Sequence, residues 1–188
     1  MLSILKKAVA KIWAKQYVKS SEKFTRNAVS NQENLLKNLI TKAVNTKFGK
    51  KHGFGSIRNI QDFQSKVPLA DYEDLKNYIE EIKEGEKDIL WPGQPEYFAK
   101  TSGTTSGSKY IPISKEAMPY QIDAARSALF FYIAQKNNAD FVNGKMIFLQ
   151  GSPELTDLHG IKTGRLSGIV AHHIPNYLQK NRLPSWET

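Results

Sequence analysis

The segment from Thr101 to Lys109 is the part of this chain whose residue types are best suited to chemistry. Its nine positions hold six hydroxyl side chains, two glycines and one lysine. Glycine lets a backbone approach an anion closely, and successive N–H groups of such a loop can converge on phosphate oxygens. The hydroxyls add donors, and the lysine adds a positive charge. We therefore predict that the phosphates of a nucleotide bind to Thr101, Ser102, Gly103, Thr104, Thr105, Ser106, Gly107 and Lys109.

The spacing of this loop separates it from two familiar nucleotide-binding motifs. A Walker loop has a glycine, four residues and then Gly-Lys-Ser/Thr, placed between a strand and a helix. Here Gly103 and Gly107 are four positions apart, and Ser108 separates Gly107 from Lys109. The Gly-x-Gly-x-x-Gly fingerprint that precedes a helix in dinucleotide-binding folds is absent as well. A polar hairpin loop without a ligand is the remaining alternative, and the strands predicted on both sides favour phosphate binding.

Other reactive side chains give weaker patterns. The chain has no cysteine, which excludes disulfides, thiolate zinc sites and cysteine nucleophiles and fits a cytoplasmic protein. His172 and His173 have no third metal ligand at a useful spacing, so we predict no metal site. Ser152, Asp157 and His159 do not form the Gly-x-Ser-x-Gly elbow of hydrolases.

The first 90 residues are predicted to be mostly helical. A helix covers residues 1–19, and a capping box at Ser30–Glu33 is predicted to start a second helix that ends at Gly49. A short helix follows Asn59 and is broken at Val67-Pro68. Asp71 is predicted to cap another helix, which Gly85 ends.

The period of the apolar pattern changes after residue 90. Tyr97–Ala99 and Tyr110–Ile113 are predicted strands on either side of the loop, Ser114 is predicted to cap a helix to about Gln135, and Lys145–Leu149 is a predicted buried strand. The remainder to about Ala171 is predicted to be loop. The fold class is therefore α/β, with a helical region 1–90, an α/β region 95–188 and an incomplete sheet.

The net charge of +9 is concentrated at the start of the chain. Residues 1–51 contain 12 Lys/Arg and only two acidic residues, Glu22 and Glu33. Two interpretations stay open: a solvated lysine face, or a basic module that binds nucleic acid or an anionic membrane. The first helix is predicted to pack its apolar face on its own domain, with Trp13, like Trp91, in a packing role. No apolar run is long enough to span a bilayer.

Several stretches of the sequence resemble a known family. The loop is similar to the phosphate loop of acyl-adenylate-forming enzymes, although those usually have glycine at Ser106 and proline at Ser108. The flanking sequence resembles the auxin-responsive Gretchen Hagen family of acyl-acid amido synthetases, in its bacterial branch. The segments that carry this resemblance are Phe63, Val67-Pro68, Tyr72, Trp91-Pro92-Gly93, Phe98–Thr104, Lys109–Pro112, Gly164–Gly168, His172-His173 and Arg182–Pro184.

The resemblance implies a fold and a reaction. It implies the N-terminal part of the large domain of an acyl-adenylate-forming ligase, with ATP and Mg²⁺ as cofactors. A carboxylic acid would be activated as an acyl-adenylate and transferred to an amine or amino acid; a thioester-forming acyl-CoA ligase is the alternative. No nucleic-acid partner is implied.

The resemblance also implies which parts this sequence holds. The family's acidic Mg²⁺ ligand, its ribose-binding aspartate and its C-terminal domain have no match in this sequence. We therefore expect the chain to be a fragment that holds no complete set of catalytic residues and is inactive alone. A possible acyl-substrate region comprises Leu149, Gly151, Ser152 and Arg165. Arg165 could contact a substrate carboxylate or hold a structural position.

Overall fold

The structure is a computed structural model that describes residues 2–101, 103, 107–149, 151–174 and 182–183. Helices dominate its first half, as predicted. The helical elements there are α1 (Leu2–Arg26), α2 (Ala28–Ala43), α3 (Lys47–Lys51), a 3₁₀ turn (Phe54–Ser56), α4 (Ile60–Lys66) and α5 (Tyr72–Lys83).

The strands enter after residue 96 and alternate with helices. The elements in chain order are β1 (Tyr97–Lys100), β2 (Tyr110–Ile113), α6 (Met118–Lys136), a 3₁₀ turn (Asp140–Asn143), β3 (Met146–Ile147), β4 (Thr156–Leu158), β5 (Ile161–Gly164), α7 (Leu166–Ala171) and β6 (Arg182–Leu183). The predicted α/β class is confirmed.

The main sheet has four strands in the order β2-β1-β5-β4. β1 is antiparallel to β2 but parallel to β5, with Ala99 opposite Gly164. β4 and β5 form a hairpin whose two turn residues, His159 and Gly160, both have positive φ. That conformation is typical of the tight turns that match the twist of paired strands.

Alternate residues of β1 enter the two cores that lie on opposite faces of the sheet. Phe98 is fully buried against α5, in a cluster that includes Ile79, Ile82 and Ile161. Tyr97 and Ala99 face the other way, toward α6 and α7. The sheet is thus held between α5 on one side and α6 with α7 on the other, which fixes the strand ends from which the loop leaves.

Two predicted helix starts are confirmed at the atomic level. The Asp71 carboxylate accepts hydrogen bonds from the N–H groups of Glu73 and Asp74, and the Asp74 side chain completes a capping box. The Asn59 side chain accepts from Asp62 N–H. The predicted stops are confirmed too: α4 ends at Lys66, before Val67-Pro68, and Gly85 follows α5 with a φ of 97°.

Other predicted helix boundaries are wrong. α1 continues to Arg26 rather than residue 19, and α2 begins at Ala28, so Ser30 lies inside the helix and its hydroxyl donates to Asn27 C=O. Gly49 ends no helix; it is buried within α3, where a side chain would collide with Ala43 C=O. Ser114 caps a turn before α6, because its hydroxyl accepts from Ala117 N–H.

The predicted burial also needs correction at two places. Trp13 is 58% exposed, because α1 packs on α6 through its opposite face. The predicted buried strand at Lys145–Leu149 is only β3, with Ile147 74% and Leu149 96% exposed. The segment predicted as loop contains β4, β5 and α7, which are too short, at three, four and six residues, to show a periodic apolar pattern.

Candidate functional site

The loop leaves the sheet at the end of β1 and returns at the start of β2. Thr101 closes its base twice: its N–H donates to Lys109 C=O over 3.0 Å, and its hydroxyl accepts from Lys109 N–H over 3.1 Å. The predicted strand–loop–strand context is therefore present. The Thr101 hydroxyl retains its proton as a donor.

Glycine is required at both glycine positions of the loop, for different reasons. A Cβ on Gly103 would fall inside the carbonyl group of Gly107, so two backbone segments of the loop are in direct contact there. Gly107 has a φ of 82°, which residues with side chains rarely adopt, and open space surrounds it. These two constraints fold the loop back on itself. The predicted phosphate ligands Ser102, Thr104, Thr105 and Ser106 lie outside the described residues.

Lys109 is held at the loop base by an aromatic side chain from α5. Its ammonium lies 4.9 Å from the ring centroid of Tyr72, a cation–π contact. The Tyr72 hydroxyl in turn accepts a hydrogen bond from Tyr110 N–H over 2.9 Å. Tyr72 is the first residue of α5, directly after the Asp71 cap, so the cap fixes the ring that positions Lys109.

Two further lysines gather beside the loop on the same face of the sheet. Lys100 is opposite Tyr110 in the register of β1 and β2, and its ammonium lies 5.6 Å from the Tyr110 ring. Lys83, at the end of α5, lies 4.7 Å from that ring and is paired with Glu80 at 2.6 Å. Within the described ranges, neither Lys100 nor Lys109 has a carboxylate partner. The loop base therefore carries uncompensated positive charge suited to a polyphosphate.

The sequence analysis missed Tyr72, Lys83, Lys100 and Tyr110 as parts of the site. Lys100 is adjacent to the loop, and its position at the end of a strand could have suggested it. Tyr72 lies 38 residues before Tyr110, and Lys83 lies more than 20 residues before it. No local sequence pattern therefore connects either residue to its contact at Tyr110.

The parallel pairing of β1 and β5 brings the loop next to the predicted acyl-substrate region. Because Ala99 pairs with Gly164, Lys100, the last residue of β1, and Arg165, the residue after β5, lie at the same edge of the sheet, where both strands have their carboxyl ends. In open α/β sheets ligands bind at such edges. The loop and Arg165 therefore flank one edge, with the exposed Arg165 side chain beside Gly151.

The remaining residues of that region are placed by close packing. A Cβ on Gly151 would lie 2.6 Å from Arg165 Cδ, and Gly151 N–H donates to the Ser167 hydroxyl over 2.9 Å. Ser152 accepts from Glu154 N–H, which shapes a turn. Leu149 is 96% exposed. A substrate role for these four residues stays a prediction.

The hydrolase arrangement is not assembled, because each side chain is bound elsewhere. Asp157 accepts from Gly160 N–H, and His159 Nδ1 lies 2.5 Å from Lys83 C=O, where it joins the β4–β5 hairpin to the end of α5.

His172 Nε2 lies 2.7 Å from Pro153 C=O, and His173 Nε2 lies 3.1 Å from the Tyr97 hydroxyl. Burial raises the pKa of Tyr97 above its ordinary value, so this phenol stays protonated at neutral pH.

Two cavities lie away from the loop. One of about 240 Å³ has an apolar wall formed by Ile82, Trp91 and Pro112. The other, of about 490 Å³, is bordered by Tyr97, Asp157 and Lys162. Neither is lined by Lys100 or Lys109, so the charged edge at the loop base is the better candidate for an anionic ligand.

Comparison with known proteins adds independent evidence on the family. The model described as "GH3 family N-terminal domain" matches residues 17–187. The chain is 26% identical over 169 residues to jasmonoyl--L-amino acid synthetase JAR6 of Nicotiana attenuata, which covers 87% of this chain and 28% of that protein. It is 35% identical over 101 residues to indole-3-acetic acid-amido synthetase GH3.2 of Arabidopsis thaliana, covering 53% of this chain and 18% of that protein.

A solved structure has the same fold. The AtGH3.15 acyl acid amido synthetase in complex with 2,4-DB superimposes with a TM-score of 0.75 at 23% identity, covering 88% of this chain and 30% of that one. The chain thus spans less than a third of the length of these relatives.

Proposed function

Because this chain belongs to the GH3 family and corresponds to the N-terminal domain of that family, we propose that it binds the phosphates of ATP for a ligase reaction. In that reaction a carboxylic acid is activated as an acyl-adenylate, and its acyl group is transferred to an amino acid to form an amide. One relative is named a jasmonoyl--L-amino acid synthetase and another an indole-3-acetic acid-amido synthetase, names that describe amide formation from an acid. The observation that carries the proposal is the loop closed by Thr101 and Lys109 and pinched at Gly103, with Lys100 and Lys109 at its base lacking a carboxylate partner among the described residues.

The chemistry assigned to this part of the chain is positioning and charge neutralisation. Attack of a carboxylate on the α-phosphorus of ATP releases pyrophosphate, and the leaving group carries most of the negative charge. Backbone N–H groups and ammonium groups fixed beside the leaving phosphates stabilise that charge. Lys109 and Lys100 are held by aromatic rings in the structure, so they need little reorganisation when the nucleotide arrives.

Mg²⁺ would reach this site on the triphosphate rather than on a protein cage. The described residues contain no group of three or more His, Asp or Glu side chains that could hold a metal ion. Mg²⁺ commonly keeps several waters and binds mainly through substrate phosphates. We therefore assign no Mg²⁺ ligand to the described residues.

The amide product is tested on a complete GH3 polypeptide that carries this domain. It is incubated with ATP, a panel of carboxylic acids and either the common amino acids or coenzyme A, and the products are identified by mass spectrometry. We expect an acyl–amino acid amide together with pyrophosphate. A thioester formed in the coenzyme A arm, with no amide in the other, would contradict the proposed acceptor but not the phosphate site.

A further inference from the structure

The N-terminal half of α1 has two apolar faces. One is used inside the molecule: Ala10, Ala14 and Tyr17 pack on α6, with Ala14 fully buried against Ile133 and the Tyr17 ring 5.2 Å from that of Phe130. Spacings of four and three residues place these side chains on one side of the helix. This contact anchors α1 to the rest of the fold.

The second apolar face points away from α6. Its members recur at positions i, i+3, i+4, i+7 and i+8, the spacing of a continuous helical stripe. Three large side chains of the stripe are mostly exposed: 62% for Leu5, 56% for Ile12 and 58% for Trp13. We call this surface the α1 stripe; it comprises Leu5, Ala8, Val9, Ile12 and Trp13.

Lysines surround the α1 stripe. At about 100° per residue, Lys6 and Lys15 border it on either side, and Lys19 continues its line toward the middle of the helix. In the part of the chain that the structure describes, none of these three lysines has an ion pair, whereas Lys7 on another side pairs with Asp140 at 2.6 Å. Glu22 is the one acidic residue of the α1 sequence.

The α1 stripe lies outside the segment that the family model matches. The match to the GH3 N-terminal domain begins at residue 17, after the last residue of the stripe. The loop and the sheet edge that carry the proposed ATP site are formed by residues from Tyr72 onward. The stripe is therefore a separate surface, and its role does not depend on the proposed reaction.

We propose that the α1 stripe binds to an anionic lipid membrane surface, with the helix lying in the plane of the headgroups. Apolar side chains with a tryptophan on one face and lysines along its borders are the pattern of interfacial helices. The lysine stems can lie along the acyl boundary while their ammonium groups reach anionic headgroups. No helix of the described chain is long and apolar enough to cross a membrane.

The charges favour this occupant over two others. Two copies of the chain meeting at their stripes would bring the bordering lysines of both together without carboxylates, which is unfavourable. Nucleic acid would use the lysines but leave the exposed Leu5, Ile12 and Trp13 in water. An anionic bilayer satisfies both the apolar stripe and its border.

The test is co-sedimentation of the purified chain with vesicles of phosphatidylserine and phosphatidylcholine, and with vesicles of phosphatidylcholine alone. We expect sedimentation with the anionic vesicles only, decreasing as salt is raised. Leu5→Ser combined with Ile12→Ser should lower the bound fraction by roughly tenfold or more, since two large apolar side chains lose their burial in lipid. Lys6→Glu combined with Lys15→Glu should have a similar effect.

The matched control is Leu69→Ser with Ile147→Ser, two side chains that are 103% and 74% exposed elsewhere on the molecule. It should bind like the unaltered chain, and thermal unfolding should confirm that all variants fold. The proposal is overturned if the unaltered chain stays in solution, if the α1 variants bind as well as the control, or if the stripe instead produces a concentration-dependent dimer that Leu5→Ser with Ile12→Ser abolishes.

Discussion

At the scale of single residues, the candidate site depends on contacts that hold the loop base in one arrangement. Thr101 and Lys109 exchange hydrogen bonds, Gly103 contacts Gly107, and Tyr72 supports Lys109 from α5. The loop residues described here are exposed, with Lys109 half-buried. Changes at the loop should therefore alter ligand binding more than stability.

Gly103→Ala tests the pinch in the loop. The added Cβ would overlap the carbonyl group of Gly107, so the two segments must separate, and the arrangement that we propose for phosphate binding is lost. We expect ATP affinity, measured by calorimetric titration, to fall by roughly tenfold or more, the cost of misplacing charge-assisted hydrogen bonds. The control is Gly144→Ala, where the nearest atom is 3.7 Å from the new Cβ. Equal ATP affinity in both variants would contradict the pinch.

Tyr72→Phe tests the support of Lys109. This change removes the acceptor of the Tyr110 N–H bond but keeps the ring under the lysine. A lost neutral hydrogen bond is worth about 0.5–1.5 kcal/mol, so ATP affinity should fall by about two- to tenfold. Tyr72→Leu also removes the cation–π contact and should lower it further. Tyr120→Phe, at a tyrosine that is 74% exposed, is the control; no difference between it and the Tyr72 variants would refute the support role.

At the scale of elements, local signals and nonlocal pairings were predictable to different degrees. The Asp71 cap and the helix start after Asn59 were predictable because a cap bonds to N–H groups two or three residues away. Ser30–Glu33 has the pattern of a capping box but lies inside α2, where Ala28 and Val29 already precede it. β5 was missed because its partner β1 lies more than 60 residues earlier in the chain, and the β4–β5 turn uses His-Gly in place of a more typical Asn-Gly.

The candidate site was predicted in the same uneven way. The loop and its two flanking strands follow from composition and period, which are local. The lysine and tyrosine contacts at its base depend on how α5 packs on the sheet through Phe98, Ile79 and Ile82. No pattern within one segment of sequence contains that information.

Gly168→Ala tests the packing of α7 against the segment at Gly151 and Ser152. A Cβ at Gly168 would collide with the carbonyl oxygen of Ser152, a backbone atom that cannot rotate away. We expect a loss of about 1–3 kcal/mol in the free energy of unfolding, measured in urea, as for other overpacked sites. Gly55→Ala, whose Cβ would lie 3.7 Å from Val44, should cost far less. Similar values for both variants would show that α7 is not closely packed there.

At the scale of the whole molecule, α1 is attached through a small polar network as well as apolar contacts. The Asp123 carboxylate accepts hydrogen bonds from the Tyr17 hydroxyl at 2.9 Å and from Arg126. Arg126 and Tyr17 together hold the pKa of Asp123 below its ordinary value of 3.8. A carboxyl with a lowered pKa stabilises the fold above its unfolded-state pKa, and this stabilisation is lost as pH falls through the folded-state pKa.

Asp123→Asn should therefore flatten the acid side of the stability profile. Between about pH 5 and pH 2, the unaltered chain should lose more thermal stability than this variant, because only the unaltered chain has the Asp123 carboxylate to protonate. Glu22→Gln, on the same helix, is the control and should retain the full loss. If Asp123→Asn and Glu22→Gln have the same pH profile, the network does not contribute to the attachment of α1.

The most direct measurement of the central claim is a titration of the isotopically labelled chain with ATP, followed by amide chemical shifts. We predict that the largest shifts occur at the loop base, in Gly103, Gly107, Lys109 and Tyr110, and that they are lost in Gly103→Ala but kept in Gly144→Ala. Shifts confined to the lysine-rich helix α1, or an absence of shifts at the loop base at millimolar ATP, would contradict the claim that this loop binds the nucleotide.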